Sequence, residues 1–254
     1  MIRAARSARL ESLRAEVRAI AAAGKGPSAV LPFGLPALDD RLAGGGLADA
    51  GLHEAAPAGA GYSDDAAATL FLAGIAGRRA GRDGTVLWVM ARRDLFAPGL
   101  AQGGLPPDRL LVAEAGGDRE VLAVMEEGLR HGALAAVVGE AGRAGLTETR
   151  RLQLAAEEGG TMALLLRRWR KAGQDPLAEG STAMTRWRIG SAPSMSLPVE
   201  GIGRARWHVE LARQRGGTAF SLLLEACDAQ GRLALPALSA DRPAASADRA
   251  RHAA

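Results

Sequence analysis

Apolar and polar positions follow two different periods along the chain. Between residues 3 and 23, Leu10, Leu13, Val17 and Ile20 recur at i, i+3, i+7 and i+10, opposed by Arg9, Glu11, Arg14, Glu16 and Arg18. That spacing draws one apolar stripe on a helix, and Gly24-Lys25-Gly26-Pro27 stops it. The pattern predicts a separate N-terminal helix, residues 1–24, whose stripe must be covered by the chain's own core or by a neighbouring subunit.

From residue 29 to about 190 the pattern becomes strand–helix–strand, the signature of a parallel sheet with covering helices. Short β-like runs are expected at 51–55, 85–90, 110–113, 133–138 and 161–166, and helices at 65–80, 118–131 and 146–158. Residues 133–138 are almost wholly apolar, as in a strand buried on both faces. Beyond them, 183–189, 206–211 and 219–226 alternate with turns, and 238–254 is small, polar and Pro-containing, which predicts a disordered tail. The expected organisation is therefore a leading helix (1–24), an α/β core with a basic C-terminal half (29–237) and a tail (238–254).

Composition adds mainly exclusions. With 254 residues, 48% hydrophobic and 24% charged, the chain has the make-up of a globular protein. No uninterrupted apolar run reaches the ~18 residues of a membrane span. The basic N-terminus lacks the apolar run of a secretory signal. A cytoplasmic protein without membrane contact is expected. The single cysteine, Cys227, excludes an internal disulfide and a cysteine-based metal cluster. His53, His131, His208 and His252 lie far apart without a ligand spacing, so no metal is expected.

Charge is unevenly placed. From Arg143 to Arg215 there are twelve arginines and one lysine against seven acids, a local excess of +6 in a chain whose net charge is +4. Such a concentration is the electrostatic footprint of a nucleic-acid surface, or an arginine-rich solvated face.

The most specific segment runs Leu31-Pro32-Phe33-Gly34-Leu35-Pro36-Ala37-Leu38-Asp39-Asp40-Arg41-Leu42, followed by Gly44-Gly45-Gly46-Leu47. It resembles the entry to RecA-type recombinase cores, and the following elements keep that order over about 160 residues. Within this RecA- and SulA-related superfamily the chain is most similar to the ImuA family, which the Arg/Trp-rich stretch Arg206-Trp207-His208-Val209-Glu210-Leu211-Ala212-Arg213-Gln214-Arg215-Gly216-Gly217 also resembles. The resemblance implies a RecA-like P-loop NTPase core, a mostly parallel sheet flanked by helices.

At the phosphate-loop position stands Ala56-Pro57-Ala58-Gly59-Ala60-Gly61-Tyr62-Ser63-Asp64. A working loop needs glycines, a lysine on the phosphates and a hydroxyl for Mg²⁺. Gly61 and Ser63 fit, but Ala56 replaces the first glycine and Tyr62 replaces the lysine. No lysine lies between Lys25 and Lys171. Asp64 and Asp65, at the helix start, would repel phosphates. The water-orienting glutamate of RecA-type ATPases falls on Arg92, and the magnesium-associated aspartate falls on Gly139, with Glu140 one place late. The nucleotide motifs are degenerate, so neither cofactor nor hydrolysis is expected.

In RecA-type proteins the region after the fifth strand faces DNA. Here it carries Arg167-Arg168-Trp169-Arg170-Lys171 and continues to Arg186 and Arg188. Guanidinium groups pair with phosphates and an indole stacks on unpaired bases, so these residues are candidates for DNA contact, with single strands preferred. Trp187 and Trp207 are expected in the core instead.

Family resemblance implies a non-catalytic accessory role in SOS-induced translesion synthesis. The implied partners are an ImuB-like Y-family polymerase homologue, an error-prone replicative-type polymerase subunit and RecA. The contrasting expectations are a SulA-like inhibitor of cell division and a DNA-dependent ATPase of the RecA type.

Overall fold

The computed structural model describes residues 29–169, 173–195 and 201–236. The stripe residues Leu10, Leu13, Val17 and Ile20, the tail 238–254, and Arg170 and Lys171 lie outside these described residues.

Two short strands, β1 (Val30–Leu31) and β2 (Leu47–Ala48), pair antiparallel around α1 (Pro36–Asp39). Asp39 holds this segment together by accepting hydrogen bonds from the backbone of Phe33, Gly34 and Leu35 at 2.7–3.0 Å. The main body then alternates: β3 (Leu52–Pro57), α2 (Tyr62–Ala80), β4 (Val86–Met90), α3 (Ala97–Gln102), β5 (Leu110–Glu114), α4 (Asp118–His131), β6 (Ala136–Glu140), α5 (Leu146–Gly159) and β7 (Met162–Leu166). Three strands complete it: β8 (Thr185–Ala192), β9 (Arg206–Gln214) and β10 (Phe220–Glu225).

Strands β3 to β10 form one sheet of eight in the order β10-β9-β8-β3-β7-β6-β4-β5. Six neighbouring strands, β8 through β5, are parallel, and β9 and β10 extend the sheet antiparallel from β8. The α/β reading and the mostly parallel sheet thus agree with the alternation in the sequence.

Period-two alternation divides the strands between two cores. On one face Phe71, Leu72 and Ile75 of α2 pack on Trp88, Leu164, Trp187 and Val209, joined by Phe33 and Leu38. On the other, Val121, Met125 and Leu129 of α4 and Leu152 and Ala156 of α5 cover Val89, Val137, Ala163 and Leu165. Trp187 and Trp207 are both buried in the first core, Trp187 5.5 Å from the Phe71 ring and Trp207 6.5 Å from it. Helices α4 and α5 end on Gly132 (φ 73°) and Gly160 (φ 64°), left-handed caps that a side chain would strain.

Candidate functional site

In a parallel sheet, ligands are met beyond the carboxyl ends of the strands. Here those ends carry the loop 58–61 between β3 and α2, the last residues of β4 and β6, and Arg167 to Trp169 after β7. The loop is pinned to β8 rather than left open: Ala58 N–H donates to Ile189 O (2.8 Å), and Asp64 accepts from Ser191 N (2.7 Å) and Ser191 Oγ (2.9 Å). Tyr62 opens α2 and is 95% exposed.

Arg168 fills the centre. Its Nε and Nη2 donate to Glu140 Oε2 at 3.1 and 2.8 Å, Nη1 meets Asp65, and Nη2 lies 3.8 Å from Asp94. Burial depresses the basicity of this guanidinium, but Glu140 and Asp65 outweigh it and raise the pKa above the ordinary arginine value. Glu140 is the last residue of β6 and is buried, whereas the sequence reading ended the strand at Val138 and left Glu140 beyond it. Its second oxygen accepts from Trp88 Nε1 at 2.7 Å, so both carboxylate oxygens are satisfied within the protein. Arg92 projects into solvent and pairs with Asp94 at 2.9 Å. Trp169 folds back over the loop, donating Nε1–H to Pro57 O at 3.0 Å.

Gly139 has its own explanation. A Cβ there would strike the Met125 thioether of α4, so the strand has no room for an aspartate at that position. Around Arg168 and Trp169 remain two hollows of about 240 and 160 Å³, touched by Arg92, Glu140 and Gly142 on one side and by Gly59, Tyr62 and Asp65 on the other. Both are smaller than the ~300–1,000 Å³ of ordinary ligand pockets. A larger groove, about 1170 Å³, lies elsewhere, between α4 and α5, with Leu122, Leu146 and Leu152 among its walls. Among the described residues no group of His, Cys, Asp and Glu is placed to hold a metal ion, and no helix is long and apolar enough to cross a membrane.

The basic residues singled out for phosphate contact need correction. Arg167 is fully buried, its Nη1 3.2 Å from Glu54 Oε1 and donating to Ala144 O at 2.9 Å. Arg186 is buried beside it, with Nε 2.6 Å from Glu54 Oε2. Arg168 serves Glu140 and Asp65. Arg188, half-buried, pairs with Glu210 at 3.1 Å and with Asp175 at 2.8 Å. Arg167, Arg168 and Arg186 therefore face carboxylates inside the protein, because a buried guanidinium must be paired, and none is presented to a DNA backbone.

Sequence reasoning missed Glu54 and Asp94. The signal for Glu54 was its place in the otherwise uncharged strand segment Leu52-His53-Glu54-Ala55, where an acid needs a cationic partner; nothing marked Asp94.

A curated relative, Protein ImuA of Caulobacter vibrioides (strain NA1000 / CB15N), is 41% identical over 214 residues, spanning 80% of this chain and 86% of its own length. Protein ImuA of Caulobacter vibrioides strain ATCC 19089 / CIP 103742 / CB 15 matches to the same extent. The chain belongs to the ImuA family. No protein-family model matches it. Among solved structures, SulA from Pseudomonas aeruginosa aligns with a TM-score of 0.39 at 24% identity, over 46% of this chain and 98% of that one. So distant a likeness carries no argument here.

Proposed function

We propose that this ImuA chain is a non-catalytic adaptor in damage-induced translesion synthesis and mutagenesis, built on a RecA-like core whose nucleotide site is filled from within. Arg168 carries the reading. It brings one fixed positive charge to Glu140, Asp65 and Asp94, so the buried carboxylate that ends β6 is compensated from within the protein. Tyr62 at the lysine position and Arg92 at the glutamate position remove the groups that would grip phosphates and orient water. Asp64 and Asp65 in the first turn of α2 favour the helix dipole but oppose an anion at its N-terminus.

A chain without turnover contributes by binding. The partners in this reading are an ImuB-like Y-family polymerase homologue and an error-prone replicative-type polymerase subunit, with RecA as a further docking surface and damaged DNA as the destination. Two measurements test it. The purified protein should show no micromolar affinity for a fluorescent ATP analogue with Mg²⁺. The tagged chain, recovered from cells treated with a DNA-damaging agent, should bring down the Y-family homologue. Micromolar nucleotide binding would overturn the filled-site reading, and recovery without any polymerase component would overturn the adaptor reading.

A further inference from the structure

The arginines of the basic C-terminal half divide into two groups. Arg167, Arg168, Arg186, Arg188 and Arg204 each face a carboxylate. Arg213, near the end of β9, and Arg215, just past it, face none and are exposed, and Arg206 at the start of β9 likewise meets only the Pro193 carbonyl. They are nonetheless held. Arg213 Nη2 donates to Ser181 O (2.9 Å) and Ala183 O (2.8 Å), and Arg215 Nη2 donates to Thr182 O (3.1 Å). Backbone carbonyls orient these guanidinium groups without neutralising them.

The surroundings are rich in donors and poor in acceptors. Behind the pair, Arg186 Nη2 is buried without a hydrogen-bond partner, and so is Thr182 Oγ1. Burial, then the nearby Arg186 and Arg215, lower the Arg213 pKa, with Glu54 offsetting part of this. On the other side of the 181–183 segment, Leu146 of α5 lies against Gly180, and Arg150 stands one turn further along the same helix face, exposed and unpaired. Glu54, whose charge reaches Arg213, is buried and already shared by Arg167 and Arg186. By contrast, Arg119 and Arg143 lie along the α4–α5 groove, where Asp118, Glu126, Glu148 and Glu179 outnumber the arginines.

We propose that Arg213 and Arg215, with Arg150 across the 181–183 segment, form a phosphate-binding surface for the nucleic-acid backbone. It lies where β8 begins and β9 ends. No aromatic side chain is part of this group, so it reads charge and not bases: binding is independent of sequence and at least as strong on duplex as on single strands. The choice of nucleic acid over an acidic protein surface rests on the mutagenesis reading above.

The test is a salt titration of fluorescent duplex and single-stranded oligonucleotides with the full chain. Wild type should bind duplex at about 50 mM salt, and Arg213→Gln/Arg215→Gln should flatten the log–log salt slope by about 1.8, ~0.9 for each lost contact. Arg213→Lys/Arg215→Lys, which keeps the charge but loses the carbonyl clamps, should keep the slope, separating charge from folding. Arg119→Gln/Arg143→Gln should bind as wild type. The proposal is overturned if wild type fails to bind at low salt, if the Gln pair binds unchanged, or if the Lys pair loses binding as the Gln pair does. It is also overturned if the Gln pair loses only an acidic polypeptide probe such as polyglutamate. All of these use purified protein and oligonucleotide, so they can fail while polymerase recovery from damaged cells still succeeds.

Discussion

Arg168, partly buried, and Glu140, buried, form a pair with Nη2 2.8 Å from Oε2 at the point where the parallel strands β6 and β7 end. The pair is anchored on both sides, by Trp88 on the glutamate and Asp65 on the arginine. It converts the end of the sheet, where such folds usually admit a ligand, into an internal contact. The same contact fixes the residues leading out of β7, because Trp169 follows Arg168 and is tied to Pro57.

Removing the arginine should therefore unsettle the fold itself. Arg168→Ala leaves Glu140 buried without its cation, and breaking one partner of such a pair costs about 3 kcal/mol, the lower end of the usual range because Arg168 keeps some exposure. Urea denaturation should show a lower midpoint at constant slope. The double variant Arg168→Met/Glu140→Gln should recover most of the loss. A single-variant loss below about 1 kcal/mol would mean that solvent already screens the pair.

Restoring a lysine should not restore chemistry. In Tyr62→Lys the new ammonium would start from a side chain that points into solvent, and Asp64 and Asp65 would still face any phosphate. We expect no ATP turnover from this variant in a coupled phosphate-release assay. Turnover above background would assign Glu140, the buried carboxylate that ends β6, a role in orienting water.

A third expectation concerns Gly139 on β6. Gly139→Ala should cost about 1–3 kcal/mol through overpacking, because its Cβ meets the Met125 thioether. Pairing it with Met125→Ala should return part of that loss in a thermal melt. Additive losses in the double variant would show that the two side chains do not compete for one space.

These cases show where the sequence was legible. Alternation placed Trp187 and Trp207 in the core, because a period of two on a strand is a local property. Helix and strand order likewise followed from local runs such as Val86-Leu87-Trp88-Val89-Met90. The charge cluster was misjudged, because pairing depends on what the fold brings together from afar. Arg167 and Arg186 meet Glu54 across 113 and 132 residues. Spacing reveals that arginines are adjacent in the chain; it cannot reveal that β3 runs between β7 and β8 with an acid at the right height. Glu140 illustrates the same limit at one residue: β6 runs two residues further than its apolar run, so a residue expected in a loop closes the strand.

The last prediction is a dependence on pH. His53, on β3, is fully buried between Thr185 and Ala48, its Nδ1 2.8 Å from Thr185 Oγ1 and its Nε2 3.0 Å from Ala48 O. A carbonyl can only accept, so Nε2 carries the proton and Nδ1 accepts from the Thr185 hydroxyl, which in turn accepts from Trp187 Nε1 at 2.8 Å. This chain of donors runs in one direction and requires the neutral ring. Burial pushes the His53 pKa from 6.5 down to about 4, with the hydrogen bond to Ala48 opposing the shift. The folded value lies below the unfolded one, so the stabilisation is complete above about pH 6.5 and is lost as the pH falls toward 4, where the native ring is itself protonated. The full loss is about 3 kcal/mol, accruing at about 1.4 kcal/mol per pH unit. Denaturation midpoints measured from pH 7 to pH 4 should decline more steeply in wild type than in His53→Gln, which offers an amide but no titrating group. Parallel curves for the two proteins would show that the ring takes up a proton in the folded state as easily as in the unfolded one, and the neutral hydrogen-bond chain through Thr185 would then be wrong.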